Sequence, residues 1–290
     1  MTHRKPAEST STTPLADCAA AWVLRAAILL HALGVARALF TRTGTSIGNI
    51  ALMDWGTSHN QILFWEKAGA TLLVALAISL FIRPTTITLL GISALIFAET
   101  LAAVKAGGFP FFAWMPYAAG LRYLTPLALL ALVIGGRVQL ATHLRRGICS
   151  WVLRIGLAVV FVIHGIEALK LHPGFIDLII GSGRVLLGWD ISEEMAVIAL
   201  RVIFVVDMIV ASLVLIRTWP PLLAWLAFWG LVTALSRPIA LGFPAYPEVL
   251  LRASHVLAPL AIWLLVRDAR HHTAPTANPE TAKRILGIAT

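Results

Sequence analysis

The chain has 290 residues, of which 59% are apolar and only 13% charged, about half the charged share of a soluble domain. A soluble core of this length cannot hide that much apolar surface, so lipid has to be the solvent. The formal charge of +9 does not point to nucleic acid, because the basic residues sit at helix ends and in short connections, without an aromatic–basic recognition module or a glycine-rich phosphate loop.

Residues 1–20 are polar and rich in Ser and Thr, and read as a disordered tail. Eight apolar segments follow, at about 21–40, 62–82, 85–105, 118–135, 150–170, 195–216, 219–236 and 249–266. Each has the roughly 20 residues that cross hydrocarbon at 1.5 Å rise per residue. The first contains Arg25 and lacks a small-residue cleavage site, which makes it a retained span and not a signal peptide. Between the fifth and sixth, His172 to Glu194 holds an apolar stretch broken by Gly181 and Gly183. It is too short to span, and is expected to lie in the interface or cap the bundle.

The chain echoes itself. Trp22-Val23-Leu24-Arg25 returns as Trp151-Val152-Leu153-Arg154, and Gly108-Phe109-Pro110 returns as Gly242-Phe243-Pro244. Charged residues recur in the same order: Arg25 with Arg154, Lys67 with Arg201, Arg83 with Arg217, and Arg122 with Arg252. His31 precedes Arg37 as His164 precedes Lys170. The expected fold is therefore an all-α integral membrane protein of eight transmembrane helices, built as two parallel four-helix repeats. Residues 21–135 form the first, 136–149 a cytoplasmic linker, 150–266 the second and 267–290 a cytoplasmic tail.

Orientation follows from the basic residues. Arg4, Lys5, Arg83, Arg137, Arg145, Arg146, Arg217, Arg267, Arg270, Lys283 and Arg284 fall on one side, against Arg42, Lys105, Lys170, Arg184 and Arg237 on the other. That asymmetry puts both termini in the cytoplasm. Phe109, Phe111, Phe112, Trp114 and Tyr117, with Phe243 and Tyr246, then crowd the outer headgroup level. Cys18 and Cys149 each precede a WVLR helix and read as reduced structural thiols.

A charge at mid-bilayer costs roughly 2.5–3.5 kcal/mol even on the gentler scale, so it normally faces a partner or a cavity. His164, Glu167 and Lys170 stand at i, i+3 spacing and would form one polar stripe. That stripe suits proton exchange or a hydrogen bond to a quinone-like carbonyl. Arg252 and His255, again i, i+3, can face the same space, with Arg154 in reach. Glu66, Glu99 and Asp207 have no repeat mate, and the expected role of Asp207 is an ion pair with a repeat arginine. No Cys/His spacing fits zinc or an iron–sulfur cluster. Haem b on His31, His164 or His255 is disfavoured for want of a diagnostic spacing.

The run from Arg154 through His164-Gly165 and Lys170-Leu171 to Pro173-Gly174-Phe175 resembles the DoxX-like family of small four-helix bacterial membrane proteins. Residues 150–266 match its layout, and 21–135 look like a decayed copy with His31-Ala32 and Arg37 at the corresponding places. Glu66 to Arg83 is similar to the family's second helix; in the second half that acid is absent. The resemblance implies a bacterial inner-membrane protein, and a membrane subunit of a quinone-linked system such as thiosulfate:quinone oxidoreductase. Its cofactor would be a quinone, and its partners the bilayer and a redox subunit. Two other readings stay open: a non-enzymatic anchor or assembly subunit whose polar groups lock the bundle, and a small-solute transporter.

Overall fold

A computed structural model describes residues 19–41, 44–107, 111–137 and 140–273. Cys18, Arg42, the Gly108-Phe109-Pro110 segment, residues 1–18 and residues 274–290 lie outside the described residues. Among those described the fold is all-α, and eight helical segments are long and apolar enough to cross a membrane.

The first half runs α1 (Ala19–Thr41), α2 (Ser46–Asp54), α3 (His59–Ile82) and α4 (Thr86–Gly107). A 3-10 turn (Phe112–Trp114), α5 (Met115–Ala118) and α6 (Gly120–Arg137) complete it. The second half has the same order: α7 (Thr142–Leu169), α8 (Pro173–Leu187), α9 (Glu193–Ile216), α10 (Pro220–Leu241), a 3-10 turn (Phe243–Ala245), α11 (Pro247–Leu251) and α12 (Ala253–Thr273). α7 begins at Thr142, so most of the expected 136–149 linker is helical. The polar residues His143, Arg145 and Arg146 mask that first part of the helix from a hydropathy reading, and Arg145 Nε bonds the Leu140 carbonyl at 2.8 Å.

Side-chain capping fixes several starts. Ser58 and Gln61 form a reciprocal capping box at α3, and Ser192 caps α9 ahead of Glu193 and Glu194. α2 was not among the expected elements. Thr45 caps it by accepting from the Gly48 amide at 2.8 Å.

Helix pairing is the same in both halves. α1 packs on α3 and α6, α4 on α6, and α2 on α3 and α4; likewise α7 packs on α9 and α12, α10 on α12, and α8 on α9 and α10. Across the middle, α1 meets α11 and α12 while α7 meets α5 and α6. The core between them is Leu, Ile and Ala, including Leu24, Ile28, Leu153, Leu157, Leu129 and Ile262. On the outside, Ile82, Ile87, Val202, Val205 and Phe228 are exposed, a girdle that only hydrocarbon makes favourable.

The WVLR echo has a physical reason. At i, i+3 the Arg25 guanidinium lies 4.4 Å from the centre of the Trp22 ring, and that of Arg154 lies 3.9 Å from that of Trp151. The basic residues closing α1 and α7 also act alike. Arg37 Nε donates to the Tyr246 hydroxyl at 2.6 Å, and Lys170 Nζ lies 5.4 Å from the centre of the Trp114 ring. Each grips an aromatic from the other half.

Candidate functional site

The last span is interrupted where α11 gives way to α12 at Arg252. Broken helices free carbonyls, which survive at membrane depth only where protein or a cavity serves them. Here the Leu251 carbonyl receives His31 Nδ1 at 3.1 Å, and the Glu248 carbonyl receives the Arg252 guanidinium at 3.1 Å. Arg252 also pairs with the Glu248 carboxylate.

Beside this break, α7, α8, α9, α10 and α12 line a cavity of about 410 Å³. Its wall is mostly hydrocarbon: Phe161, Phe175, Ile179, Leu200, Ile203 and Trp229. Its polar groups are His164, Asp207, Arg237, Arg252 and His255, with Ser182, Thr233 and Ser236 between them.

His164 Nδ1 bonds Glu167 Oε2 at 2.8 Å, and Glu167 is buried. The carboxylate fixes the ring and leaves Nε2 as the nitrogen for a ligand. Next along α7, Gly165 lets α9 approach so closely that a Cβ there would lie 3.3 Å from Asp207 Cβ. Asp207 is thereby set beside the His164–Glu167 pair. It is 3% exposed, Trp229 lies within hydrogen-bonding reach, and Oδ1 makes no hydrogen bond. Across the cavity the His255 ring is 6.4 Å from that of His164, and neither of its ring nitrogens makes a hydrogen bond. The Arg252 carbonyl is engaged by the His255 backbone amide at 2.9 Å. Arg237 donates to the Thr233 carbonyl one turn earlier and lies 3.4 Å from Ser236 Oγ.

Of the residues expected to form the site, His164, Arg252 and His255 line this cavity, and Glu167 stands behind His164. Lys170 and Arg154 are elsewhere. α7 ends at Leu169, so Lys170 leaves the stripe and turns to Trp114. Arg154 sits nearer the opposite end of the bundle, where it donates to the Val214 carbonyl at 2.8 Å and also to the Leu215 carbonyl.

Asp207 is in none of the four ion pairs among the described residues; it faces Trp229 and the cavity instead of an arginine. Arg237 lies one residue past the expected seventh span, yet it is within α10 and lines the cavity. The charge-free run to Ser236 marks the apolar part of the span, but α10 continues through Pro238 to Leu241.

The unmatched glutamates of the first half also find their partners. Glu66 Oε1 accepts from the Thr45 amide at 2.6 Å and its hydroxyl at 2.8 Å. Glu99 accepts from the Ser46 and Ile47 amides at 2.5 and 3.2 Å. Both carboxylates hold the amide end of α2. α8 needs no such acid, because it opens with Pro173 and is capped by His172 Nδ1, which accepts from the Gly174 amide at 3.1 Å.

No protein-family model, curated protein or solved structure matches the chain. Among the described residues no three His, Cys, Asp or Glu side chains are grouped as metal ligands.

Proposed function

We propose that this integral membrane protein is a tandem DoxX-like protein of the bacterial inner membrane that binds a quinone in its second half, as a membrane subunit of a redox system. The observation that carries the reading is the set of buried atoms Asp207 Oδ1, His255 Nδ1 and His255 Nε2, which lack hydrogen bonds and belong to residues lining one largely apolar cavity. Leaving such an atom unsatisfied costs about 1–3 kcal/mol. A polar head on an apolar body would satisfy them and fill the cavity together.

A quinone, together with the quinol to which it is reduced, meets these terms. Its ring and tail suit Phe161, Phe175 and Trp229, and its carbonyl oxygens accept hydrogen bonds. His164, with Nδ1–H given to the Glu167 carboxylate, donates from Nε2 only as the imidazolium that this carboxylate supports; Asp207, when protonated, and His255 are donors beside it. In the first half Glu99 and one oxygen of Glu66 are spent on α2, while Glu66 Oε2 is buried without a hydrogen bond but lines no part of this cavity.

The parallel-repeat reading is supported by the recurring element order, by the matched helix pairing and by Arg37 and Lys170 each gripping the other half. The excess of basic residues at one end supports cytoplasmic termini.

The test is to purify the full chain in mild detergent, extract bound quinone, and titrate the emptied protein with a decyl-substituted benzoquinone. Saturable binding that His164→Ala abolishes is expected. A protein that carries no quinone and binds none refutes the reading.

A further inference from the structure

Three of the cavity's seams are closed by close backbone approach. Gly165 brings α9 against α7. At Gly230 a Cβ would lie 2.7 Å from the His255 carbonyl oxygen, sealing α10 to α12. At Gly181 it would lie 2.8 Å from Ala240 Cβ, sealing α8 to α10. The seam between α9 and α10 has no such approach; those helices touch only sparsely. Leu200 and Ile203 of α9, Val232 of α10, and Leu186 and Leu187 at the end of α8 bound it, and all five line the cavity. Yet Leu186 is 64% exposed, Leu187 56% and Val232 37%. The cavity therefore reaches the outer surface at this seam, in the same girdle as Val202, Val205 and Phe228.

In the first half α3 and α4 touch as sparsely, but that equivalent seam is stapled. There α3 carries Glu66 and α4 carries Glu99, and both hold the start of α2 between them. The approach is so close that a Cβ on Gly48 would collide with Glu66 Oε1. Aligning Arg83 with Arg217, which end α3 and α9, places Leu200 at the position of Glu66 and Thr233 at that of Glu99. Both replacements line the cavity. The positions that staple the seam in one half hold, in the other, a leucine and a threonine that line the cavity and bind no helix start.

We propose that the α9–α10 seam beneath α8 is a lateral portal, through which the hydrocarbon tail of a bilayer-dissolved quinone reaches into the lipid while its ring sits between His164 and Asp207. An apolar opening facing hydrocarbon admits a ligand that never leaves the membrane, and the polar end of the cavity sets which end enters first. The portal rests on the quinone reading.

The test uses the full chain in nanodiscs and two probes: a benzoquinone with a decyl tail bearing a terminal diazirine, and the same ring without a tail. Irradiation is expected to place adducts on Leu187, Ile203 or Val232. Val232→Trp, a change at a partly exposed position that leaves the polar groups untouched, is expected to weaken the tailed probe about ten-fold and the tail-less one by less than about two-fold. Binding of both probes with adducts elsewhere, or a Val232→Trp effect equal on both or absent from both, overturns the portal and leaves the site. Failure of the wild type to bind either probe overturns the quinone reading itself.

Discussion

His31 donates Nδ1 to the Leu251 carbonyl at 3.1 Å, closing the gap where the eighth span breaks. A carbonyl can only accept, so this nitrogen carries the proton. His164, which stands six residues before Lys170 as His31 stands before Arg37, gives the same nitrogen to Glu167 and keeps its ring on the cavity. One histidine of the pair holds the helix break, and the other is free to meet a ligand.

His31→Phe should therefore leave a buried carbonyl without a partner and lower stability by about 1–3 kcal/mol. Thermal unfolding in detergent reads this, and quinone affinity of the folded fraction should stay as in the wild type. An unchanged unfolding temperature would contradict the role assigned to His31.

Glu167→Gln keeps the shape and an acceptor for His164 but removes the charge and the titratable proton. The variant should insert and unfold like the wild type while its affinity for decyl-benzoquinone falls about ten-fold. A lower unfolding temperature with unchanged affinity would make the pair a packing device.

Glu66→Ala removes two of the hydrogen bonds that hold α2, and Glu99→Ala removes two more. Each should destabilise the protein by about 2–4 kcal/mol, the scale of charge-assisted bonds to a helix start. Neither should change quinone affinity, because the ligand site lies in the other half. A selective loss of binding would move the functional site to the first half.

Ala141, ahead of α7, and Trp189, after α8, are both exposed and lie at opposite ends of the bundle. In a background with Cys18 and Cys149 changed to serine, an impermeant maleimide applied to whole cells should label Trp189→Cys and spare Ala141→Cys. The reverse pattern would invert the orientation read from the basic residues.

The eight spans were legible because length and hydropathy at 1.5 Å per residue leave few alternatives. The WVLR echo was legible too, since an arginine three residues after a tryptophan falls over its ring. α2 was not, being short and held chiefly by carboxylates far along the chain, so that Glu66 and Glu99 looked like unmatched intramembrane acids. The His164–Glu167 contact follows from helical spacing. Lys170 does not continue the stripe, because spacing assumes a helix that ends at Leu169. Arg237 was hidden because its own charge ends the apolar run at Ser236, while the helix continues through Pro238 to Leu241. Which groups are left without hydrogen bonds depends on helix approaches such as Gly165 to Asp207, and no periodicity reports those.

The most direct test of the account is a quinone titration of Asp207→Leu beside the wild type, in nanodiscs, with unfolding temperatures measured in parallel. Leucine removes a buried carboxyl group whose Oδ1 makes no hydrogen bond but also the partner of Trp229, so the variant should unfold close to the wild type. Its affinity for decyl-benzoquinone should fall by about ten-fold or more. A variant that binds quinone as well as the wild type, or a wild type with no saturable binding, would contradict a quinone site at this cavity.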